Sequence, residues 1–283
     1  MTALEGMRAL VTGGGTGIGF GIAGALLDAG ATVTIAGRRE DVLERAASAL
    51  HAEFARAGSG AEVRTVRCDV TVESDVAAAV GVAAGPDGRL DVAVANAGSA
   101  VPGPFLLVDD AGWRFCCELN IIGTASTFRH AARAMTDGGS LIAISTAASN
   151  APEVGMAAYS ATKAAVDMMV RAAAWELGPR RIRVNAIQPG YVPTDATQGA
   201  FSDDVIADLA TRVALAQPGR ADDIAALAVH LAGPGGTWIT GQVIAVDGGL
   251  SVQPMADLSD ISVRMYGADA VADALGRTPA PGA

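Results

Sequence analysis

The chain has 283 residues, enough for one large α/β domain, and 30 acidic residues against 20 basic ones, for a formal net charge of −10 and a pI near 4.7. Nucleic-acid surfaces are basic, and the pairs Arg38-Arg39 and Arg180-Arg181 are too short to reverse this balance, so no nucleic-acid partner is expected. The cysteines lack zinc or redox spacing, the histidines are scattered and no apolar run is long enough to span a membrane, so neither a metal site nor a membrane anchor is expected.

In chain order, the first strand is expected at Arg8–Val11. Thr12-Gly13-Gly14-Gly15-Thr16-Gly17-Ile18-Gly19 follows at once, then a helix from Phe20 to Gly30. A glycine turn between a strand and a helix N-terminus is a phosphate cradle, because missing side chains admit a pyrophosphate to the free N–H groups and the helix dipole. The second strand, Thr32–Ala36, runs into Gly37-Arg38-Arg39. A chain that prefers NAD places a carboxylate there for the ribose 2′-OH, whereas glycine beside arginine suits a 2′-phosphate.

Further along, a helix is expected at Glu40–Ala57, a third strand at Arg64–Cys68 and a helix at Glu73–Ala84. The fourth strand, Val92–Ala95, precedes Asn96-Ala97-Gly98, and a long helix from Trp113 to Met135 carries Asn120. The fifth strand, Leu141–Ser145, leads to the helix Ala157–Leu177. That helix holds Tyr159 and Lys163 at i, i+4, on one face. A positive charge close to a phenol favours the phenolate, so Tyr159 is expected to titrate below the usual tyrosine range and to move protons near neutral pH. The sixth strand, Arg183–Ile187, meets Pro189-Gly190, and after the helix Ala221–Leu231 the seventh strand lies at Val243–Val246. Strands alternating with helices imply a parallel sheet covered on both faces.

Together these motifs resemble the short-chain dehydrogenase/reductase family, in its oxoacyl-reductase-like and hydroxysteroid-dehydrogenase-like members. The family's T-G-x-x-x-G-x-G is Thr12 to Gly19, its N-A-G is Asn96 to Gly98, its Y-x-x-x-K is Tyr159 and Lys163, and its closing D-G-G is Asp247-Gly248-Gly249. The resemblance covers roughly residues 5 to 250. It implies a single doubly wound, Rossmann-like α/β domain over 1–250, with a seven-stranded parallel sheet in the order 3-2-1-4-5-6-7. Residues 251–283 form an extension beyond the usual family end, expected to be partly disordered, with a short helical pattern at Ala268 to Leu275.

The resemblance also implies the roles. Hydride would pass between a nicotinamide and a substrate carbon, with Tyr159 as acid or base and Lys163 favouring the phenolate and bonding the nicotinamide ribose. Asn120 would hold a water linking Lys163 to solvent, or merely cap backbone. The family's catalytic serine stands thirteen residues before the tyrosine, where this chain has Thr146, with Ser145 beside it. Alternation along a strand allows only one of the two to face the site, and Thr146 is the expected one. Gly13, Gly15, Thr16, Gly17, Ile18 and Gly19 would cradle the nucleotide, and Arg38 and Arg39 would meet its 2′-phosphate. Asp69, Val70, Asn96, Ala97 and Gly98 would line it further along, with Pro189, Gly190, Val192 and Thr194 at the carboxamide. The cofactor is therefore expected to be NADP, with NAD the alternative.

Ala196 to Gln217 stands where relatives have a lid, and its apolar residues suggest a medium-sized, mainly apolar ketone or secondary alcohol. Alternatives are an NAD(H)-dependent secondary-alcohol dehydrogenase and, in a different class, a non-catalytic dinucleotide-binding regulatory protein. The helix Ala157–Leu177 has more apolar surface than one buried face needs, so a homo-oligomer is expected, a tetramer before a dimer. The chain enters its first strand almost at once, leaving no room for a signal peptide, so a cytoplasmic location is expected.

Overall fold

Short apolar runs bounded by glycine, proline or aspartate form seven strands in the computed structural model: β1 (Arg8–Thr12), β2 (Thr32–Gly37), β3 (Val63–Arg67), β4 (Val92–Ala95), β5 (Gly139–Ile144), β6 (Ile182–Pro189) and β7 (Val243–Val246). The structure describes residues 3–57, 62–194, 202–254 and 256–276. All pairings are parallel and the strand order is β3-β2-β1-β4-β5-β6-β7. The central strands are buried on both faces, which is why they read as unbroken apolar runs.

Successive side chains point to opposite faces, so each strand feeds two cores. Val11, Ile35, Ile142 and Ile187 face one core, packed with Ile22 and Leu26 of α1 (Gly17–Asp28) and Ile224 and Leu231 of a later helix, Ala221–Ala232. Leu10, Ala93, Leu141 and Val184 face the other, with Val76 and Val80 of Glu73–Ala84, Phe128 of Gly123–Ala134 and Val166 and Val170 of Ala157–Leu177. In chain order after α1, the helices are α2 (Glu40–Ala57), α3 (Glu73–Ala84), α4 (Asp110–Cys116), α5 (Gly123–Ala134), α6 (Ala157–Leu177), α7 (Asp203–Arg212), α8 (Ala221–Ala232), α9 (Ser259–Tyr266) and α10 (Ala268–Ala274).

One expectation needs correction. The helix expected as continuous from Trp113 to Met135 is α4 and α5 joined by a π-helical segment, Cys117–Ile122. The wider turn costs hydrogen-bond quality, and such segments recur where a side chain must be re-aimed; here that side chain is Asn120. Beyond Ser251 the chain forms a second unit, Val252–Ala283, in which α9 precedes the expected α10. Part of the expected lid, residues 196–201, lies outside the described residues, as do residues 277–283. Among the described residues no helix is long and apolar enough to cross a membrane, and no cluster of metal ligands occurs.

Candidate active site

The singled-out motifs gather at the carboxyl ends of β1 to β6, where ligands bind in open parallel sheets. The glycine turn after β1 is fixed by tight contacts. Gly13 has φ +65°, and a Cβ on Gly19 would come within 2.3 Å of the Gly13 carbonyl. Gly17 also has positive φ, and a Cβ there would meet the Thr194 side chain at 3.1 Å, so the segment after β6 lies across the turn. Asn96 Nδ2 donates to the Thr12 and Gly13 carbonyls at 3.0 and 3.2 Å, while the backbone N–H groups of Asn96 and Ala97 both donate to Thr12 Oγ1 at 3.1 Å. Asn96 thus clasps the turn to β4, with both its amide protons spent on that task.

The start of α1 is open to an anion. Its N-cap, Thr16, makes no side-chain cap bond and its first turn holds no acidic residue. The N–H groups of Ile18 and Gly19 have no acceptor among the described residues. A phosphate group fits this cradle, since a negative charge there meets free donors and the positive end of the helix. At the end of β2, Gly37 is followed by the exposed Arg38 and Arg39, neither in an ion pair among the described residues. Burial works against the Asp69 carboxylate, but bonds from the Thr71 N–H and hydroxyl and the charges of Arg38 and Arg67 hold it below its usual range. Asp69 closes its own turn rather than capping α3, whose N-cap is Val72. The Val70 side chain packs where a Cβ on Gly123 would clash at 2.8 Å. After β6, a Cβ on Gly190 would come within 2.7 Å of Asp247, Val192 is buried, and Tyr191 with Leu215 and Pro218 walls a cavity of about 200 Å³.

Thr146, Tyr159 and Lys163 come together at the end of β5. Thr146 has extended backbone, φ −164° and ψ 153°, so strand alternation continues through it without a bulge. Its hydroxyl lies close enough to Tyr159 to favour the phenolate, and it accepts from the Ala148 N–H at 3.2 Å. Ser145 points the other way, buried, with Oγ 3.5 Å from the Lys163 carbonyl. The Lys163 ammonium is buried, donates to the Ile144 carbonyl at 2.7 Å and lies 5.7 Å from the centre of the Tyr159 ring. Lys163 is also the only lysine of the chain.

The electrostatics differ from the expectation of an acidified tyrosine. Burial pushes the Tyr159 phenol up to about 12, the nearby Thr146 hydroxyl pulls it back in part, and the charge of Glu153 adds to the rise. Lys163 aims its ammonium at the Ile144 carbonyl and not at the phenol oxygen, so lost hydration outweighs its attraction for a phenolate. Burial likewise pulls Lys163 down to about 8, with Asp167 opposing the fall.

Asn120, on the π segment, is fully buried. Its Nδ2 donates to the Ser99 carbonyl at 2.9 Å and to Thr162 Oγ1 at 3.0 Å, and its Oδ1 accepts from the Ser99 N–H at 3.1 Å. It locks the loop after β4 onto α6. Gly98 keeps this spot clear, since a Cβ would meet Asn120 Oδ1 at 3.1 Å and Lys163 Nζ at 3.2 Å. Sequence reasoning passed over Glu153, Asp167 and Gln188. Asp167 could have been found, because it continues the i, i+4 row of Tyr159 and Lys163 by one more turn; the other two reach the site only through tertiary contacts.

The family model described as enoyl-(acyl carrier protein) reductase matches residues 13–251. A solved short-chain type dehydrogenase/reductase from Mycobacterium ulcerans superposes with a TM-score of 0.84 at 38% identity, over 95% of this chain and 98% of that one. This chain belongs to the short-chain dehydrogenase/reductase family. As such it is an oxidoreductase acting on CH–OH donors with NAD(P). It is 33% identical over 248 residues to 7alpha-hydroxysteroid dehydrogenase of Escherichia coli K12, covering 87% of this chain and 94% of the relative. It is 37% identical over 246 residues to cis-4-hydroxycyclohexanecarboxylate dehydrogenase of Sinomonas cyclohexanicum, covering 85% and 95%. Solved relatives include a 7 alpha-hydroxysteroid dehydrogenase complexed with NADH (32% identity, 87% of this chain and 94% of that one, TM-score 0.80) and a Burkholderia cenocepacia short-chain dehydrogenase in complex with NADP (32%, 88% and 99%, 0.79).

Proposed function

We propose that this protein is an NADP(H)-dependent oxidoreductase that interconverts a ketone and a secondary alcohol on a mainly apolar skeleton. Tyr159 is its acid for reduction and its base for oxidation. The observation that carries this reading is the cluster at the end of β5: a Thr146 hydroxyl close to the Tyr159 phenol, with the buried Lys163 ammonium beside the ring. The bound nicotinamide supplies or accepts the hydride. Thr146 orients the substrate oxygen, and the phenol, protonated at neutral pH in the free protein, gives it the proton. In the oxidative direction, Thr146 and Lys163 stabilise the phenolate that must form.

Gly13, Gly15, Thr16, Gly17, Ile18 and Gly19 would hold the pyrophosphate, with Asp69, Val70 and Asn96 to Gly98 along the adenosine half and Pro189, Gly190, Val192 and Thr194 at the carboxamide. The exposed and unpaired Arg38 and Arg39 beside Gly37 favour a 2′-phosphate, hence NADP(H) over NAD(H). Tyr191, Val213 and Leu215 supply apolar surface for the substrate. Both named relatives act, by their names, on ring-borne secondary alcohols, which favours an alicyclic substrate. Met168 and Trp175 of α6 are exposed apolar residues, consistent with a homotetramer, and the site of action would be the cytoplasm.

The test is turnover of a panel of alicyclic ketones and alcohols with each nucleotide, followed by nicotinamide absorbance. Ketone reduction with a higher kcat/KM for NADPH than for NADH is expected. No turnover, or a preference for NADH, overturns the reading.

A further inference from the structure

Behind the catalytic cluster lies a buried polar chain that the reaction chemistry does not itself require. Asp167, on α6 one turn beyond Lys163, is 4% exposed, and its Oδ2 accepts from Gln188 Nε2 of β6 at 2.9 Å. The same Nε2 donates to Ser149 Oγ at 2.6 Å, and Gln188 Oε1 accepts from Asn150 Nδ2 at 3.0 Å. Ser149 Oγ in turn donates to the backbone carbonyl of Thr146 at 2.8 Å. The chain therefore runs from the helix that carries Tyr159 and Lys163, across β6, to the turn that carries Thr146. Gln188 is 1% exposed and commits its amide on both sides to this link.

A buried carboxylate is costly unless it meets donors or a positive charge. Asp167 meets one amide through Oδ2, while Oδ1 has no hydrogen-bond partner among the described residues. One turn away, Lys163 is equally buried and donates to a single backbone carbonyl. Side chains at i and i+4 are neighbours on a helix, so the two buried groups share one face of α6, without an ion pair between them. Asp167 is the one charged group that acts on Lys163; Tyr159 and the Glu153 carboxylate, which acts on Tyr159, are the other titratable groups at the cluster. The π segment, β5 and β6 present neutral groups to it: Asn120, Ser145, Thr146 and Gln188.

We propose that Asp167 and Gln188 are positioning residues of the active site: Asp167 supplies the negative charge that keeps Lys163 an ammonium, and Gln188 transmits the placement of α6 to the Thr146 turn. The catalytic part of this inference rests on the ketone–alcohol reading above, whereas the part about Lys163 does not.

Because Lys163 is the only lysine, protein labelled with ε-¹⁵N- or ε-¹³C-lysine gives one side-chain NMR signal that needs no assignment. Asp167→Asn keeps the shape and an acceptor for Gln188 while removing the charge. Its Lys163 signal is expected to titrate about one pH unit or more below that of the parent protein. The alkaline limb of its kcat profile should move down by the same amount, with KM little changed. Gln188→Leu keeps the charge and breaks the link, so the Lys163 titration should stay in place while kcat falls about tenfold at every pH. A Lys163 titration unmoved in Asp167→Asn overturns the charge role. A normal kcat in Gln188→Leu overturns the positioning role. If no substrate is turned over, the ketone–alcohol reading fails and the NMR titration still decides the charge role. Should Asp167→Asn not fold, adding a second negative charge by Gln188→Glu must raise the Lys163 titration, and a failure to do so refutes the charge role.

Discussion

Replacing Lys163 by methionine is expected to abolish turnover and yet leave the fold no less stable at neutral pH. Burial lowers the Lys163 value from 10.5 to about 8, which at about 1.4 kcal/mol per pH unit means the folded state bears about 3 kcal/mol for holding this ammonium. Methionine of similar length removes that cost, but it leaves the Ile144 carbonyl without the 2.7 Å donor, a loss of about 1–3 kcal/mol. The net change at pH 7 is thus about 0–2 kcal/mol in favour of Lys163→Met. The pH dependence is the sharper readout. Between pH 8 and 10.5 the folded protein releases the lysine proton before the unfolded chain does, so the parent protein gains stability as pH rises. Lys163→Met lacks that gain, and its advantage over the parent should shrink by about 2–3 kcal/mol from pH 7 to pH 10. Tyr159 and Cys68, raised to about 12 and about 11 by burial, act with the opposite sign as pH rises; Cys68 cancels between the two proteins, and Tyr159 adds little up to pH 10 because an unfolded tyrosine only begins to lose its proton there. No other lysine contributes. Urea unfolding of both proteins at pH 7 and pH 10, at one protein concentration, measures the quantity. A stability difference that stays constant with pH would refute the account of Lys163 as a buried, strained ammonium.

Tyr159→Phe should lower kcat by about 10²–10⁴-fold while nucleotide affinity, read by fluorescence titration, stays close to that of the parent. Thr146→Ala should reduce kcat by a similar order, whereas Ser145→Ala, whose hydroxyl faces the Lys163 carbonyl, should stay within a few-fold; equal losses would show that the two hydroxyls are not divided as the backbone places them. Arg38→Ala should weaken NADP(H) by roughly 10- to 100-fold, from a charge-assisted contact of about 1.5–3 kcal/mol, and leave NAD(H) nearly unchanged, as calorimetric titration would measure. Trp175→Glu, at an exposed apolar position of α6, should shift the sedimentation coefficient toward smaller species; an unchanged coefficient would refute the proposed role of α6 in assembly.

Local pattern settled much of this architecture. Glu40–Ala57, Glu73–Ala84 and Ala157–Leu177 read from the sequence as helices with the ends they have in the structure, because their apolar spacing and flanking glycines or acidic first turns are short-range signals. Val92–Ala95 and Val243–Val246 were equally plain as strands, and the chain order of glycine turn, Asn-Ala-Gly, Tyr159 and Lys163 was enough to suggest the family. The π segment was not legible: Cys117–Ile122 has ordinary helix formers, and only the need to seat Asn120 between the Ser99 backbone and Thr162 accounts for the widened turn.

The sequence by itself determined which residues could carry the chemistry; the tertiary structure decided the state in which they stand. Spacing puts Tyr159 and Lys163 on one helix face, but spacing carries no information about water. Once α6 packs against β5 and the π segment, dehydration raises the phenol and lowers the ammonium, opposite in sign for Tyr159 to what the pair alone suggests. Which of Ser145 and Thr146 turns toward Tyr159 likewise waited on the extended backbone of Thr146. Charge and hydrogen-bond energies depend on neighbours brought from distant parts of the chain, such as Gln188 of β6 beside Asp167 of α6, and no local pattern encodes those meetings.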